Sequence, residues 1–337
     1  MKIIRTMILF ALMGLFVFSG FAQDSLEAQL QDLLGRRDQL KTDMQAANEA
    51  GDHDKYNQLA TEWEALQAQI SEIKNKLDAD TEKKANAVKY YNEGNSFMKQ
   101  GRYSDAVASY KKSLEYDSFN TKVHYNLGVA QYRTKDYHGA LASFEKAVQL
   151  QADYVDAIYM KGSVLDKMGR DRDALNAFQA AVAYDPMYSK AYFGMGQVYM
   201  RINQNSQAVD ALRQATDLDP TDDKAYTTLA QALSNKGDNK GAIAAADAAI
   251  AIKANNWKPY YLKALAANKT GKHEIAIAAA EGCLQYKAKY AGAYFEIGQA
   301  YQALGNKEKA IEFYKKCLDD RNWRPNAEHQ IKYIEES

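Results

Sequence analysis

The chain repeats itself with a period of 34 residues, and that period restricts the fold more than any other feature of the sequence. Sliding the sequence by one period brings Gly94, Gly128, Gly162, Gly196, Ala230, Ala264 and Gly298 into one column. Twelve residues later stand Ala106, Ala140, Ala174, Ala208, Ala242, Ala276 and Ala310, and seven further on Ser113, Ala147, Ala181, Ala215, Ala249, Cys283 and Cys317. Seven units therefore follow one another without insertion or deletion, beginning at residues 87, 121, 155, 189, 223, 257 and 291 and ending at 324. A unit this short cannot bury an apolar face alone, so the units must stack on one another as a solenoid. The 337 residues would otherwise leave room for two or three separate domains.

Each unit carries two apolar patterns of helical period separated by a break. The break contains Gly101, Gly169, Asn203, Gly237, Gly271 or Gly305, and Thr134-Lys135-Asp136 in the second unit. Glycine and asparagine tolerate the left-handed conformation that ends a helix. With four prolines in the chain and an abundance of Ala, Leu, Lys, Glu and Gln, helix is expected throughout. The stretches YNLG with YHGALASFEKAV, and YFGMGQVY with QAVDALRQAT, resemble the tetratricopeptide repeat family. That resemblance covers 238 residues and implies an all-α, right-handed superhelix (an α-solenoid) whose first helices line a concave face.

Helices approach closely only where contact residues are small, and the expected contact sets the glycine of one helix against the alanine of its partner. Cys283 and Cys317 hold one small-residue position in successive units. Equivalent positions in stacked pairs exceed the roughly 7 Å Cα limit for a disulfide, so both are expected as buried free thiols.

Outside the array, residues 1–22 have a basic start, a short apolar run from Met7 to Phe18 and small residues Gly20 and Ala22, which reads as a cleaved export signal. The SGFAQ ending resembles signals of Bacteroidetes and related Gram-negative bacteria, placing the mature chain in the periplasm or at the outer membrane. Without that segment 41 basic residues face 43 acidic ones, which gives no indication of a nucleic-acid partner. Residues 23–80 show two amphipathic patterns around the turn NEAGDHDK, expected as a helical hairpin or a short coiled coil through which chains self-associate. Residues 81–86 are a linker or a helix extension, and 325–337 a capping helix.

Catalysis finds no support: the five histidines fall at unrelated repeat positions, and no nucleophile elbow, phosphate loop or CxxC is present. Neither cofactor nor metal is expected. Recognition is better served, because positions 2, 5, 9, 12 and 13 of each unit share one face of the first helix. Position 5 reads Tyr91, Tyr125, Tyr159, Phe193, Thr227, Tyr261 and Phe295. Position 13 supplies Lys99, Arg133, Lys167, Arg201 and Lys269, position 2 adds Lys122, Lys190, Lys224 and Lys258, and only Asp156 and Asp166 oppose them, for a net charge of +7. With Asn95 and Tyr132, these aromatic and basic residues are the candidate contacts for an extended acidic segment, a C-terminal carboxylate or another envelope protein. Aromatic faces also suit a glycan, the alternative reading. The carboxylate clamp of cytosolic co-chaperone repeats is matched at Asn95 and Asn126 but not at its basic positions, which fall on Tyr91, Asp156 and Met160. In units five and six Ala246 and Ala280 replace the large residue of Tyr110, Phe144, Phe178, Leu212 and Tyr314. Either the helices pack closer there or the array is softer.

Overall fold

A computed structural model describes the backbone of residues 2–336 and the side chains of residues 23–336. The export signal read over 1–22 lies outside the described side chains. The described residues form sixteen helices, and among the described residues no helix is long and apolar enough to cross a membrane. The chain divides into two compact units, residues 1–152 and 153–337.

The first unit opens with α1 (Lys2–Glu49) and α2 (His53–Lys99), paired through a turn in which Gly51 has φ 70°. Asp52 caps α2, its carboxylate accepting from the Lys55 amide at 3.0 Å. The pair buries Ala47, Leu66 and Ile70. Residues 81–86 lie within α2, which runs unbroken from the hairpin into the first helix of the array. Helices α3 (Tyr103–Tyr116), α4 (Thr121–Arg133) and α5 (Tyr137–Leu150) complete the unit, each packed against the one before it.

The second unit continues with α6 (Val155–Lys167), α7 (Asp171–Tyr184), α8 (Ser189–Arg201), α9 (Asn205–Leu218), α10 (Asp223–Lys236) and α11 (Asn239–Ile252). After these come α12 (Trp257–Lys269), α13 (His273–Tyr286), α14 (Ala291–Ala303), the short α15 (Lys307–Lys315) and α16 (Arg324–Glu335), which carries Pro325 in its first turn. Position 15 of every repeat, just after the first helix, has positive φ: Gly101, Gly169, Gly237, Gly271 and Gly305 as glycines, Asn203 at 59° and Lys135 at 64°. At that bend the Arg102 amide reaches back to the Phe97 carbonyl at 3.0 Å, closing the first helix of its repeat.

The small-residue column corrects the expected glycine–alanine contact. A Cβ built on Gly128 would lie 2.8 Å from the Phe144 ring, on Gly94 2.5 Å from Tyr110, on Gly196 2.5 Å from Leu212 and on Gly298 2.7 Å from Tyr314. The glycine thus receives a large side chain from position 24 of the repeat, on the second helix and four residues beyond the alanine column. Tyr110, Phe144, Phe178, Leu212 and Tyr314 are accordingly almost completely buried. Phe178 is held from both sides, at 2.7 Å from Cβ positions on Gly162 and on Gly194 of the following repeat. In units five and six both partners change together, to Ala230 with Ala246 and Ala264 with Ala280, all fully buried. Unit six also reverses the arrangement: Tyr260 of α12 presses on Gly282 of α13, 2.6 Å from a Cβ there.

Cys283 and Cys317 are free and buried. Burial pushes their thiols up to about 11 and about 12. The Cys317 thiol donates to the Ala291 carbonyl at 3.3 Å, just as the Ser113 hydroxyl donates to the Ala87 carbonyl at 2.7 Å in the first repeat. Both tie position 27 of a repeat to its own first residue.

Candidate functional site

The candidate contacts separate by compact unit. In the first, Tyr91 and Tyr125 are half-buried, each with one side committed to the core: Tyr91 lies 6.2 Å from the Tyr110 ring and Tyr125 5.8 Å from Phe144. Tyr132 packs 5.8 Å from Tyr137. Lys99, Lys122 and Arg133 are exposed. Asn95 and Asn126, the two asparagines singled out from the sequence, are in direct contact: the Asn126 amide donates to Asn95 Oδ1 at 3.2 Å and to the Tyr91 hydroxyl at 3.4 Å. Tyr110, reaching across from the second helix, donates to the same Asn95 oxygen at 2.7 Å. Burial pushes the Tyr110 hydroxyl up to about 12, so it stays a donor at any physiological pH. Asn95 is therefore fixed by two donors.

Beside this network opens a cleft of about 740 Å³ lined by Lys83, Lys84, Val88, Tyr91, Tyr116 and Lys122, among others. Val88, Tyr116 and Phe119 present exposed apolar surface there, at 58%, 37% and 44%. Lys84 is paired with Asp80 at 2.8 Å, one helical turn back. Val88, Phe119 and Lys83 were not expected as site residues. Lys83 lies before the repeat, in sequence that reads as a linker or a helix extension, and Phe119 sits in the turn between α3 and α4.

In the second unit the basic face is partly neutralised. Arg201 binds Asp166 at 2.6 Å and Asp171 at 2.9 Å, so it serves as a tie between α6, α7 and α8. Lys167 lies 3.9 Å from Asp166, and Lys190 sits over the Tyr188 ring at 5.9 Å. Tyr159 packs between Phe178 and Tyr188 at 5.7 and 5.4 Å, and Phe193 lies half-buried against the core around Leu212 and Leu229.

Tyr261, Lys269 and Phe295 do come together, at a cleft of about 480 Å³ between α12 and α14. Phe295 is only 8% exposed, because Trp323 and Tyr314 cover it at ring distances of 5.0 and 5.2 Å. The cleft also holds residues the sequence reading passed over. Glu296, at 2% exposure, is the one charged residue among the buried polar side chains described. Asn268 donates to its carboxylate at 2.8 Å and to its backbone carbonyl at 2.9 Å, while His273 Nδ1 lies 3.3 Å from the Asn268 oxygen. Burial holds the Glu296 carboxyl above the usual range, against the opposing pull of Asn268 and Lys269. Tyr261 is pushed up as well, by burial first and then by the Glu296 charge. The only advance sign of Glu296 was an acid in a first helix at a position that is Asn126, Met160 or Gly194 in other repeats.

Models of the tetratricopeptide repeat match residues 91–155, 159–223 and 193–256, and a second model of that repeat matches 291–319. The chain belongs to the tetratricopeptide repeat family. Among similar solved structures is the C-terminal part of a repeat-containing protein of this family from Cytophaga hutchinsonii, 20% identical with a TM-score of 0.59, covering 70% of this chain and 97% of that one. A tetratricopeptide repeat protein from Parabacteroides merdae is 18% identical with a TM-score of 0.53, covering 74% of this chain and 99% of that one. YrrB, a tetratricopeptide repeat protein with an unusual peptide-binding site, is 20% identical with a TM-score of 0.52 and covers 56% of this chain and 100% of its own. At these identities the likeness concerns the fold. No curated protein matches the chain. Membership of this family makes the array a protein-interaction scaffold.

Proposed function

We propose that the tetratricopeptide array binds an extended segment of a partner protein on its first-helix face, within the bacterial cell envelope. The observation that carries this reading is that position-5 aromatics line an open cleft in each compact unit, Tyr91 in one and Tyr261 with Phe295 in the other. Pockets of several hundred Å³ with aromatic walls and a few fixed polar groups are the usual form of a recognition site. In the first unit the exposed cations Lys99, Lys122 and Arg133 favour an acidic segment or a C-terminal carboxylate, and the tethered Asn95 and Asn126 amides supply directional hydrogen bonds. The likeness to YrrB, a protein described by its peptide-binding site, is compatible with this mode. Support for the envelope comes from the signal-like residues 1–22. Association of two chains through residues 25–78 belongs to the same proposal.

The fold's ordinary work is binding, and a non-enzymatic role follows from that reading. A glycan accessory would require rings with an open face. Phe295 is covered by Trp323 and Tyr314, so the peptide reading is preferred. Affinity capture from envelope extract with the wild type, and with Tyr125→Ala, Tyr159→Ala and Arg133→Glu combined, tests the proposal. Loss of the captured protein in the variant is expected, and identical capture by both would refute the groove.

A further inference from the structure

Beyond an acidic segment on the first unit, we infer that the cleft between α12 and α14 is a separate subsite for a cationic side chain, a lysine or arginine of a bound polypeptide. Glu296 is the reason. A carboxylate at 2% exposure must be compensated or it is costly. Asn268 satisfies Oε2 alone, and no described residue donates to Oε1. Lys269 attracts the carboxylate through space but forms no ion pair with it among the described residues, and its own side chain is exposed. Yet Oε1 is not sealed in, since the carboxyl lines an open cleft.

The walls suit the same guest. Tyr261 and Trp323 line the same cleft as Glu296, and rings attract ammonium and guanidinium groups through their quadrupoles. Leu265 supplies apolar surface for an aliphatic stem. Asn268, anchored on one side by the Glu296 backbone and carboxylate and on the other facing His273, holds Oε2 in place, which leaves Oε1 as the free acceptor. An anion placed here would meet Glu296 head-on. The charge preference is therefore opposite to that of the exposed lysines and arginine in the first unit, so failure of one site leaves the other standing.

The test uses the whole mature chain labelled with ¹³C at leucine methyls, with Leu265 as the local reporter. Acetyl-Gly-Arg-Gly-amide should shift the Leu265 methyl resonances saturably, and acetyl-Gly-Glu-Gly-amide should leave them in place. Glu296→Gln retains an acceptor for Asn268 and should weaken the arginine peptide about tenfold, the worth of one charge-assisted hydrogen bond. Lys269→Ala changes an exposed residue, removes a competing cation and should tighten the same peptide roughly twofold. It carries the test if Glu296→Gln fails to fold. No response to the arginine peptide, an equal response to both peptides, unchanged affinity in a folded Glu296→Gln variant, or weaker binding by Lys269→Ala would each overturn the assignment.

Discussion

At the scale of single residues, the array is specified by pairs rather than by a column of small side chains. Gly128 accommodates the Phe144 ring, and an added methyl would intrude at 2.8 Å. Gly128→Ala is expected to destabilise the protein by about 1–2 kcal/mol, the overpacking cost less the gain in helix propensity. In a Phe144→Ala background, itself worth about 3–5 kcal/mol, the sign should reverse, and Gly128→Ala should stabilise by about 1 kcal/mol. Denaturant titration of wild type, the two single variants and the double variant measures both effects. Lys135 is the position-15 residue that is neither glycine nor asparagine, held at φ 64°. Lys135→Gly should raise stability by about 1 kcal/mol, seen as a higher Tm. The glycine column was legible in the sequence; its partner was not. Period alone aligns residues without saying which of them touch, and the aromatic at position 24 looked like ordinary core. The joint change to alanine in units five and six was the available sign, since a methyl gained on one helix matches a ring lost from the other.

Glu296 gives the residue scale its pH dependence. Its carboxyl is raised in the folded protein by burial, so the folded state binds a proton more readily than the unfolded chain. Stability contributed by this group therefore falls as pH rises from the ordinary carboxylate range through the folded value, and is recovered on acidification. Asn268 donates to it, and Lys269, Tyr261, Tyr290 and Tyr314 are the titratable groups coupled to its charge. Glu296→Gln should accordingly have a higher Tm than wild type above the folded value, and the difference should shrink as the pH is lowered into the ordinary carboxylate range. A constant difference would mean that Glu296 does not titrate in that window.

At the scale of elements, hairpin and array share one helix through residues 81–86, which the sequence left open between a linker and a helix extension. The polar run ADTEKKAN contains neither glycine nor proline, so nothing in it breaks α2, which continues from His53 to Lys99. Its polarity reflects exposure to solvent. Helix α11 is the element expected to be softest, because its Ala246 meets Ala230 and no ring such as the Tyr260–Gly282 contact of the next repeat compensates. Backbone amides of α11 should exchange faster than those of α7, whose Phe178 is gripped by two glycines. Uniform exchange along the second unit would show that closer packing has made up the lost volume.

At the scale of the whole molecule, the sequence carried the architecture and the face of the first helices, but not the local balance of charge on that face. Summing residues by repeat position gave a net of +7, whereas Arg201 is consumed by Asp166 and Asp171, and Glu296, on no counted position, lies in the last cleft. Side-chain pairing between repeats is a property of the stack and is not written in any one unit. Binding of partners on the first-helix face is the central claim. A photo-crosslinking residue placed in turn at Lys99, Arg133 and Lys167, and at the exposed second-helix positions Lys111, Gln179 and Arg213, tests it in intact cells. A common partner should crosslink from the first-helix positions and not from the second-helix ones; crosslinking confined to the second-helix positions, or equal from both faces, would contradict the claim.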